Sequence, residues 1–401
     1  MDIKRQKLWV FSELFFPEET STAYILTKIS EKLSQKYDVE VICTYPSYDN
    51  FNKRLTLQNN NIKVTRIKSF KGNKNNNIHR ILKFGYLSIA FAIHLATKVK
   101  KKDHVFTVTN PAPFLILAAI IKTIKKFRLT ILVHDVFPEN TIPASYMNPK
   151  SIVYKLLKVI FTKAYSKYDT IIVLGRDMLE LFRKKLTHYK KQPHVVVIEN
   201  WADTEHISPQ ASNSKSAAAE DKIVFQFAGN LGAIQGLDYL FSVISKITND
   251  HLLFAFIGNG KLKEPLETMA KEQGLKNIIF KPPFKRVEQN EVLNSCDIGI
   301  VSLSKGMQGL GVPSKTYNIL SAGKPILFIG DKESEISLLV KEHNIGYSFG
   351  YMEEEELIHF LNALNPEIAR KHFQEKGQKA RCIAKTLYSE ESILTKYLEL
   401  I

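Results

Sequence analysis

The strongest constraint on this chain is a rhythm. Short runs of β-branched, aliphatic and aromatic residues alternate with longer amphipathic stretches from one end to the other. A short apolar run with no polar alternation suits a strand buried on both faces, and the longer 3.6-period stretches between such runs supply the helices that bury it. The pattern predicts an α/β fold of parallel sheets, with strands at 7–11, 39–44, 62–67, 105–108, 129–133, 170–174 and 195–198 and a helix at 23–36. The rhythm restarts with strands at 223–228, 252–257, 277–280, 298–301 and 325–329. Two similar layered units are therefore expected, in keeping with 401 residues at about 100–200 per domain. The stretch 208–221, SPQASNSKSAAAED, has almost no large apolar residue and reads as a linker. The domains are expected at 1–200 and 201–374, with a helical tail over 375–401 crossing back to the first.

Apolar residues at 44% and charged residues at 24% are ordinary for a globular chain and exclude global disorder. Cys43, Cys296 and Cys382 lack CxxC or Cys/His spacing, so a disulfide framework and a zinc site are excluded and buried, reduced thiols are expected. The apolar stretch near the N-terminus is broken by Ser12 and Glu13 and reads as a first strand rather than a leader. The longest purely apolar run, 114–121, falls short of the about 18 residues needed to cross a bilayer, so no spanning segment is expected.

Charge divides the chain. The net charge is +16, yet residues 1–200 carry 34 Lys+Arg against 15 Asp+Glu, whereas residues 201–401 carry 22 against 25. Basic residues sit among apolar ones in 78–102, 120–128 and 150–167, a composition that suits an anionic membrane surface. A solvated lysine-rich face is the other reading of the same segments. Nucleic acid is not expected as a partner, because no RRM, KH or helix-turn-helix signature accompanies the charge.

Ligands of open α/β sheets bind beyond the carboxyl ends of strands, which directs attention to five turns. In FFPEETST, Ser21 and Thr22 can cap the following helix or contact a phosphate. In LVHDVFPEN, His134 and Asp135 leave the strand at 129–133, where they can orient a sugar hydroxyl or serve as a hydrogen-bonded structural pair. ENWAD, residues 199–203, reads as packing between the units, with Trp201 as a wedge. The glycines of GNLGAIQG, residues 229–236, permit close backbone approach to a phosphate. In 305–323, a glycine-rich loop ends at Pro313 and Ser314, and Lys315 follows in the first turn of a helix, where a cation is disfavoured unless an anion binds there too. The alternative is a lysine that extends to solvent.

In order along the chain, FFPEETSTAYILT, VTNPAPF, LVHDVFPEN, VIENWAD, FAGNLGAIQGLDYL, FIGNGKLKEPL, SCDIGIVSL and VPSKTYNILSAGKPIL resemble the retaining glycosyltransferases of family 4. Within that family the resemblance is to bacterial N-acetylfucosamine-transferase-like enzymes of capsule and O-antigen assembly. It implies the GT-B fold: two Rossmann-like domains with parallel sheets facing across a cleft. His134 falls at the family's active-site histidine, with Asp135 as a weaker partner, and Ser21 and Thr22 fall on the loop that contacts the donor phosphate. The family's diphosphate-neutralising Arg and Lys fall at Asn230 and Gln235, and its E-x7-E pair at Leu310 and Asn318, so those charges are absent. The resemblance therefore assigns the diphosphate to Ser314, Lys315, Asn230 and Gln235, and the nucleoside and ribose to Gly258 and Asn318.

The implied reaction is transfer of a sugar, such as N-acetylfucosamine, from a nucleoside diphosphate, UDP by resemblance, to an undecaprenyl-diphosphate-linked saccharide acceptor. It proceeds with retention, without a metal or other cofactor, at the cytoplasmic face of the cell membrane. The departing phosphate itself accepts the proton of the acceptor hydroxyl. Two other readings are a non-catalytic GT-B-fold protein binding membrane or a partner, prompted by the lost charges, and a nucleotide-sugar 2-epimerase.

Overall fold

A computed structural model describes residues 5–46, 62–69, 77–210 and 221–401. The central part of the proposed linker, 211–220, lies outside the described residues.

The chain divides into two compact units. The first comprises Met1–Thr141, Met147–Ile198 and Leu394–Ile401; the second comprises Ile142–Tyr146 and Glu199–Ile393. In the first unit the strands are β1 (Lys7–Phe11), β2 (Asp38–Thr44), β3 (Lys63–Ile67), β4 (His104–Val108), β5 (Arg128–Val133), β6 (Thr170–Val173) and β7 (His194–Val197). Helices α1 (Ser21–Leu33), α2 (Asn77–Lys98), α3 (Ala112–Lys125), α4 (Ile152–Tyr165) and α5 (Arg176–Leu186) connect them. The strands pair in parallel in the order β3-β2-β1-β4-β5-β6-β7. The connections therefore run outward in both directions from β1 and β4, and the carboxyl ends of these two strands flank the topological switch point.

The second unit contains β8 (Ile223–Ala228), β9 (Leu252–Ile257), β10 (Ile278–Lys281), β11 (Ile298–Ser302), β12 (Ile326–Ile329) and β13 (Gly346–Phe349). Its helices are α6 (Leu237–Ile244), α7 (Lys263–Glu272), α8 (Gln289–Asn294), α9 (Lys315–Ser321), α10 (Glu335–His343), α11 (Glu354–Asn362), α12 (Pro366–Thr386) and α13 (Glu390–Leu400). The order β10-β9-β8-β11-β12-β13 is again parallel and places the switch point between β8 and β11. Both sheets follow the doubly wound plan of a Rossmann-like unit, and the α/β expectation holds.

The reason is visible in β4 and β9, where every residue of HVFTV and LLFAFI is buried. Such strands satisfy their backbone only within a sheet and their side chains only beneath helices on both faces. In the second unit Phe225, Phe227, Phe254 and Phe256 pack with Leu240 and Phe241 of α6 in one core cluster. Strand β13 escaped the sequence reading. It is a four-residue edge strand that opens on a glycine and is only half-buried throughout, so it lacks the apolar signal of a central strand.

Three further expectations are corrected. The cap of α1 is Thr20, whose Oγ1 accepts from the Ala23 N–H at 3.2 Å, so Ser21 and Thr22 are the first two residues of the helix rather than its caps. Cys43 and Cys296 are buried, but Cys382 on α12 is exposed. The tail is two helices rather than one. Between α12 and α13 the chain turns back to the 199–203 segment: the Ala202 N–H donates to the Tyr388 carbonyl at 2.7 Å and Trp201 Nε1 donates to Glu390 Oε2 at 3.1 Å. Trp201 is thus a packing residue held by the start of α13. The end of α13 belongs to the first unit, where Arg128 Nη1 donates to the Ile401 carbonyl at 3.1 Å and the Phe106 and Tyr397 rings lie 6.4 Å apart.

Gly377 lies in the interior of α12, where a glycine costs about 0.5–1 kcal/mol relative to alanine. A Cβ there would lie 2.1 Å from the Gly323 carbonyl oxygen, so the missing side chain lets α12 cross the turn after α9 at backbone contact. The usual sign should reverse. Gly377→Ala is expected to destabilise the protein by about 1–3 kcal/mol through overpacking, read as a lower denaturant midpoint with an unchanged slope.

Candidate active site

In the first unit the loops beyond β1, β4 and β5 are tied to one another. Glu13, just past β1, is buried; its Oε1 pairs with Lys83 Nζ of α2 at 2.6 Å and its Oε2 accepts from Asn110 Nδ2, just past β4, at 2.9 Å. Thr109 Oγ1 then accepts from the backbone N–H groups of His134 and Asp135 at 3.3 and 3.4 Å. The turn after β5 is thereby fixed by β4, and the Glu13–Asn110 bond spans the switch point. Sequence alone assigns Glu13, Lys83 and Asn110 no site role. Asn110 lay within VTNPAPF, but nothing local connects it to a glutamate 97 positions away.

The His134 ring nitrogen Nε2 is buried and makes no hydrogen bond. Burial lowers the imidazole pKa to about 4, so the ring is neutral at pH 7. Beside it in sequence, burial raises the Asp135 carboxyl to about 6, and no basic side chain among the described residues forms an ion pair with it. Ser21 is exposed and Thr22 half-buried in the first turn of α1, a 13-residue helix in which Thr20 binds the Ala23 N–H through its Oγ1 and the Tyr24 N–H through its carbonyl.

The second unit assembles the other group of candidate residues at the carboxyl ends of β8, β9 and β11. The Gly229 N–H donates to the Ile257 carbonyl and the Leu231 N–H to the Asn259 carbonyl, both at 2.9 Å, joining the loops after β8 and β9. Gly258 belongs to this crossing: its φ is +147° and a Cβ would sit 1.9 Å from the Gly229 carbonyl oxygen. The structure therefore gives Gly258 a backbone-crossing role. On the β11 side, Ser304 Oγ accepts from the Gly236 N–H at 3.1 Å and donates to the Ala233 carbonyl at 2.8 Å.

Lys315 reaches this junction from α9. Its Nζ lies 3.2 Å from the centroid of the Phe227 ring of β8 and 3.9 Å from where a Cβ on Gly229 would be. The Nζ is buried, has no hydrogen-bond partner, and does not extend to solvent. The ring face offers some compensation, but burial still holds the amine well below the usual lysine range. The Gln235 Oε1 is likewise buried and unpartnered, whereas Asn230 is exposed, with its Oδ1 2.8 Å from the Cβ position of Gly260. Ser314 takes the N-cap position but its side chain makes no capping bond. Helix α9 spans only seven residues, so its dipole is a lesser source of positive potential than the sequence suggested, and the Lys315 amine is the principal one. Asn318 Oδ1 accepts from the Asp203 N–H at 3.2 Å and thereby fastens the 199–203 segment to α9.

Two Rossmann-like units, each built on a parallel sheet with orphaned polar groups at the carboxyl ends of its strands, are the architecture of the GT-B fold. The family model described as glycosyl transferases group 1 matches residues 210–380. A probable glycosyltransferase of Pseudomonas aeruginosa, WbjE, is 31% identical over 396 residues, covering 98% of this chain and 96% of the relative. The chain belongs to the group 1 glycosyltransferases. A putative colanic acid biosynthesis glycosyl transferase of Escherichia coli K12, WcaI, is 25% identical over 177 residues, 43% of each chain. Among solved structures, Anabaena HepE in complex with UDP and glucose matches with a TM-score of 0.71 and 13% identity, covering 99% of both chains.

The buried Asp135 charge sets a pH-dependent test. Its folded pKa of about 6 exceeds its ordinary 3.8, so the folded state holds more protons between these values and stability is lost as pH rises through them. His134 has the opposite slope: its folded pKa of about 4 lies below 6.5, so stability is lost as pH falls through that window, and the buried His104, lowered to about 3, acts in the same direction. Asp135→Asn should therefore stabilise the protein at pH 8 by up to about 3 kcal/mol, with the gain vanishing below about pH 4. Urea denaturation of both proteins across this range reads the difference.

Proposed function

We propose that this chain is a retaining transferase that moves a sugar from a nucleoside diphosphate, with UDP as the leaving group, to an undecaprenyl-diphosphate-linked saccharide during capsule or O-antigen assembly. The reading places it as a peripheral protein at the cytoplasmic face of the cell membrane, with an N-acetylated deoxyamino sugar such as N-acetylfucosamine as the donor group. Kinship with WcaI, whose name specifies colanic acid biosynthesis, and the UDP held by the HepE neighbour support this choice of pathway class and nucleotide.

The observation that carries the proposal is the Lys315 amine, buried and without a partner beside Gly229 at the end of β8. A buried ammonium without a counterion is costly, and the cost falls when an anion enters. A diphosphate at this junction would meet the amine and the glycine-rich backbone after β8. As the glycosyl–phosphate bond breaks, negative charge accumulates on the departing oxygen, and a cation already in place stabilises that charge without reorganising. The same positive charge removes the need for a metal in the proposed step. The phosphate oxygen then takes the proton of the acceptor hydroxyl, so no protein nucleophile is required. His134, neutral at pH 7, can donate or accept one hydrogen bond to a sugar hydroxyl without adding a charge to the site.

Linkage supplies the test. Anion binding raises the proton affinity of Lys315, so UDP should bind with proton uptake and bind more weakly as pH rises. Isothermal titration in buffers of different ionisation enthalpy measures the uptake. Lys315→Ala should abolish it and weaken UDP by about 1–3 kcal/mol, the scale of a charge-assisted contact; equal affinity in the variant would remove Lys315 from the donor site. Product analysis with donor alone distinguishes the reaction class: a transferase leaves the sugar configuration intact, whereas epimerised donor would refute transfer.

A further inference from the structure

The apolar period of α2, α3 and α4 predicts one buried stripe per helix, and each has one: Leu87, Phe91 and Leu95 on α2, for example, are fully buried. Each helix also has a second apolar stripe on the opposite side. On α2, Leu82, Tyr86, Ile89 and Ile93 recur at helical spacing and are all exposed. Ile120 and Ile124 do the same on α3, Ile124 at 74% exposure. On α4 the exposed residues are Ile152, at 84%, with Leu156 and Val159. Because α2 packs along α3 and α3 along α4, the outer stripes lie on one helical layer of the first unit. In the second unit, by contrast, Val287, Met352, Ile368 and Leu387 are exposed singly on separate segments.

Charge identifies what covers this layer. None of the three helices contains an Asp or Glu. Exposed lysines frame it: Lys98 at the end of α2, Lys126 after α3, and Lys155, Lys158 and Lys163 on α4. A second copy of the same face would set lysine against lysine, whereas an anionic lipid surface complements the lysines and accepts the apolar side chains. An 18-residue stretch of α2, Ile81–Lys98, is long and apolar enough by length and composition to cross a membrane. Its Leu87, Phe91 and Leu95 are committed to the interior of the first unit, so the helix is placed to lie along a bilayer instead.

The geometry points to an insertion face: the outer stripes of α2, α3 and α4 enter the acyl boundary of an anionic phospholipid bilayer while the flanking lysines contact its headgroups. This deepens the membrane reading given above and is independent of donor binding. A purely electrostatic contact would use the lysines and leave the isoleucines in water. An insertion face requires both, so part of the binding must survive high salt.

Sedimentation with vesicles of phosphatidylglycerol and phosphatidylcholine tests the difference. The intact chain should bind these vesicles at physiological salt, retain part of that binding at about 0.5 M salt, and bind pure phosphatidylcholine weakly. Combined Ile89→Ser, Ile124→Ser and Leu156→Ser substitutions should lower partitioning at least tenfold with an unchanged thermal midpoint, and Lys155→Glu with Lys158→Glu should do so on anionic vesicles alone. Val287→Ser should change nothing. Wild-type binding by the triple variant, absence of vesicle binding, or a dimer dissolved by the serine substitutions would overturn the proposal. If the triple variant fails to fold, Ile89→Trp provides the reading: its emission should be quenched by brominated lipid, since Trp9 and Trp201 are buried, and an unquenched signal refutes insertion. A UDP thermal-shift measurement on the same protein reports separately on the donor site, so failure of one reading leaves the other measurable.

Discussion

The architecture depends on one constraint: a parallel sheet must be covered on both faces. Strands such as HVFTV and LLFAFI are buried on both faces, so a polar group within them lies in the interior, as His104 does against Thr130 Oγ1 at 2.9 Å, and the polar groups open to a ligand gather at the strand ends. At the carboxyl ends of β1, β4 and β5 they form a connected set, from Lys83 through Glu13 and Asn110 to the Thr109-anchored turn of His134 and Asp135. At the carboxyl ends of β8, β9 and β11, backbone bonds through Gly229, Leu231 and Ser304 form the corresponding junction. In each unit the site is a consequence of how the sheet is buried.

The electrostatics share one cause. The His134 imidazole, the Asp135 carboxyl and the Lys315 amine are all displaced from their ordinary proton affinities by burial alone, without a dominant charged neighbour. A structural ion pair behaves differently: Glu40, held by Lys7 and Lys63, stays below the usual carboxylate range. Burial without a partner destabilises the empty protein and leaves groups that an incoming ligand can satisfy. Under the proposed donor site, Lys315 would be the source of positive charge for a diphosphate beside the neutral Asn230 and Gln235. The charge comes from a different element, α9, and arrives beneath the same loop.

The outer layer of α2, α3 and α4 shows the limit of reading apolar period as burial. These helices are apolar on two sides, and apolar period alone does not say which side is buried. Packing leaves room for only one. The other remains exposed among lysines with no acidic residue on the same helices, a combination that destabilises association with a like surface and favours an anionic one.

Sequence alone determined the two α/β units, nearly every strand, the glycine-rich turn after β8 and the position of His134 and Asp135 in the turn after β5, because these follow from local periodicity and strand-end position. It also placed Lys315 at the start of a helix. It did not show roles that depend on distant chain: Thr20 rather than Ser21 or Thr22 caps α1, Gly258 makes a backbone crossing with Gly229, and Asn318 holds Asp203. The half-buried edge strand β13 had too weak an apolar signal to register. Tertiary structure alone decided that the Lys315 amine is buried over Phe227 without a partner, that Glu13 spans the β1–β4 switch point, and that three apolar stripes face outward. Burial and pairing are properties of which segments meet, and local sequence encodes the propensity of each segment without encoding its neighbours.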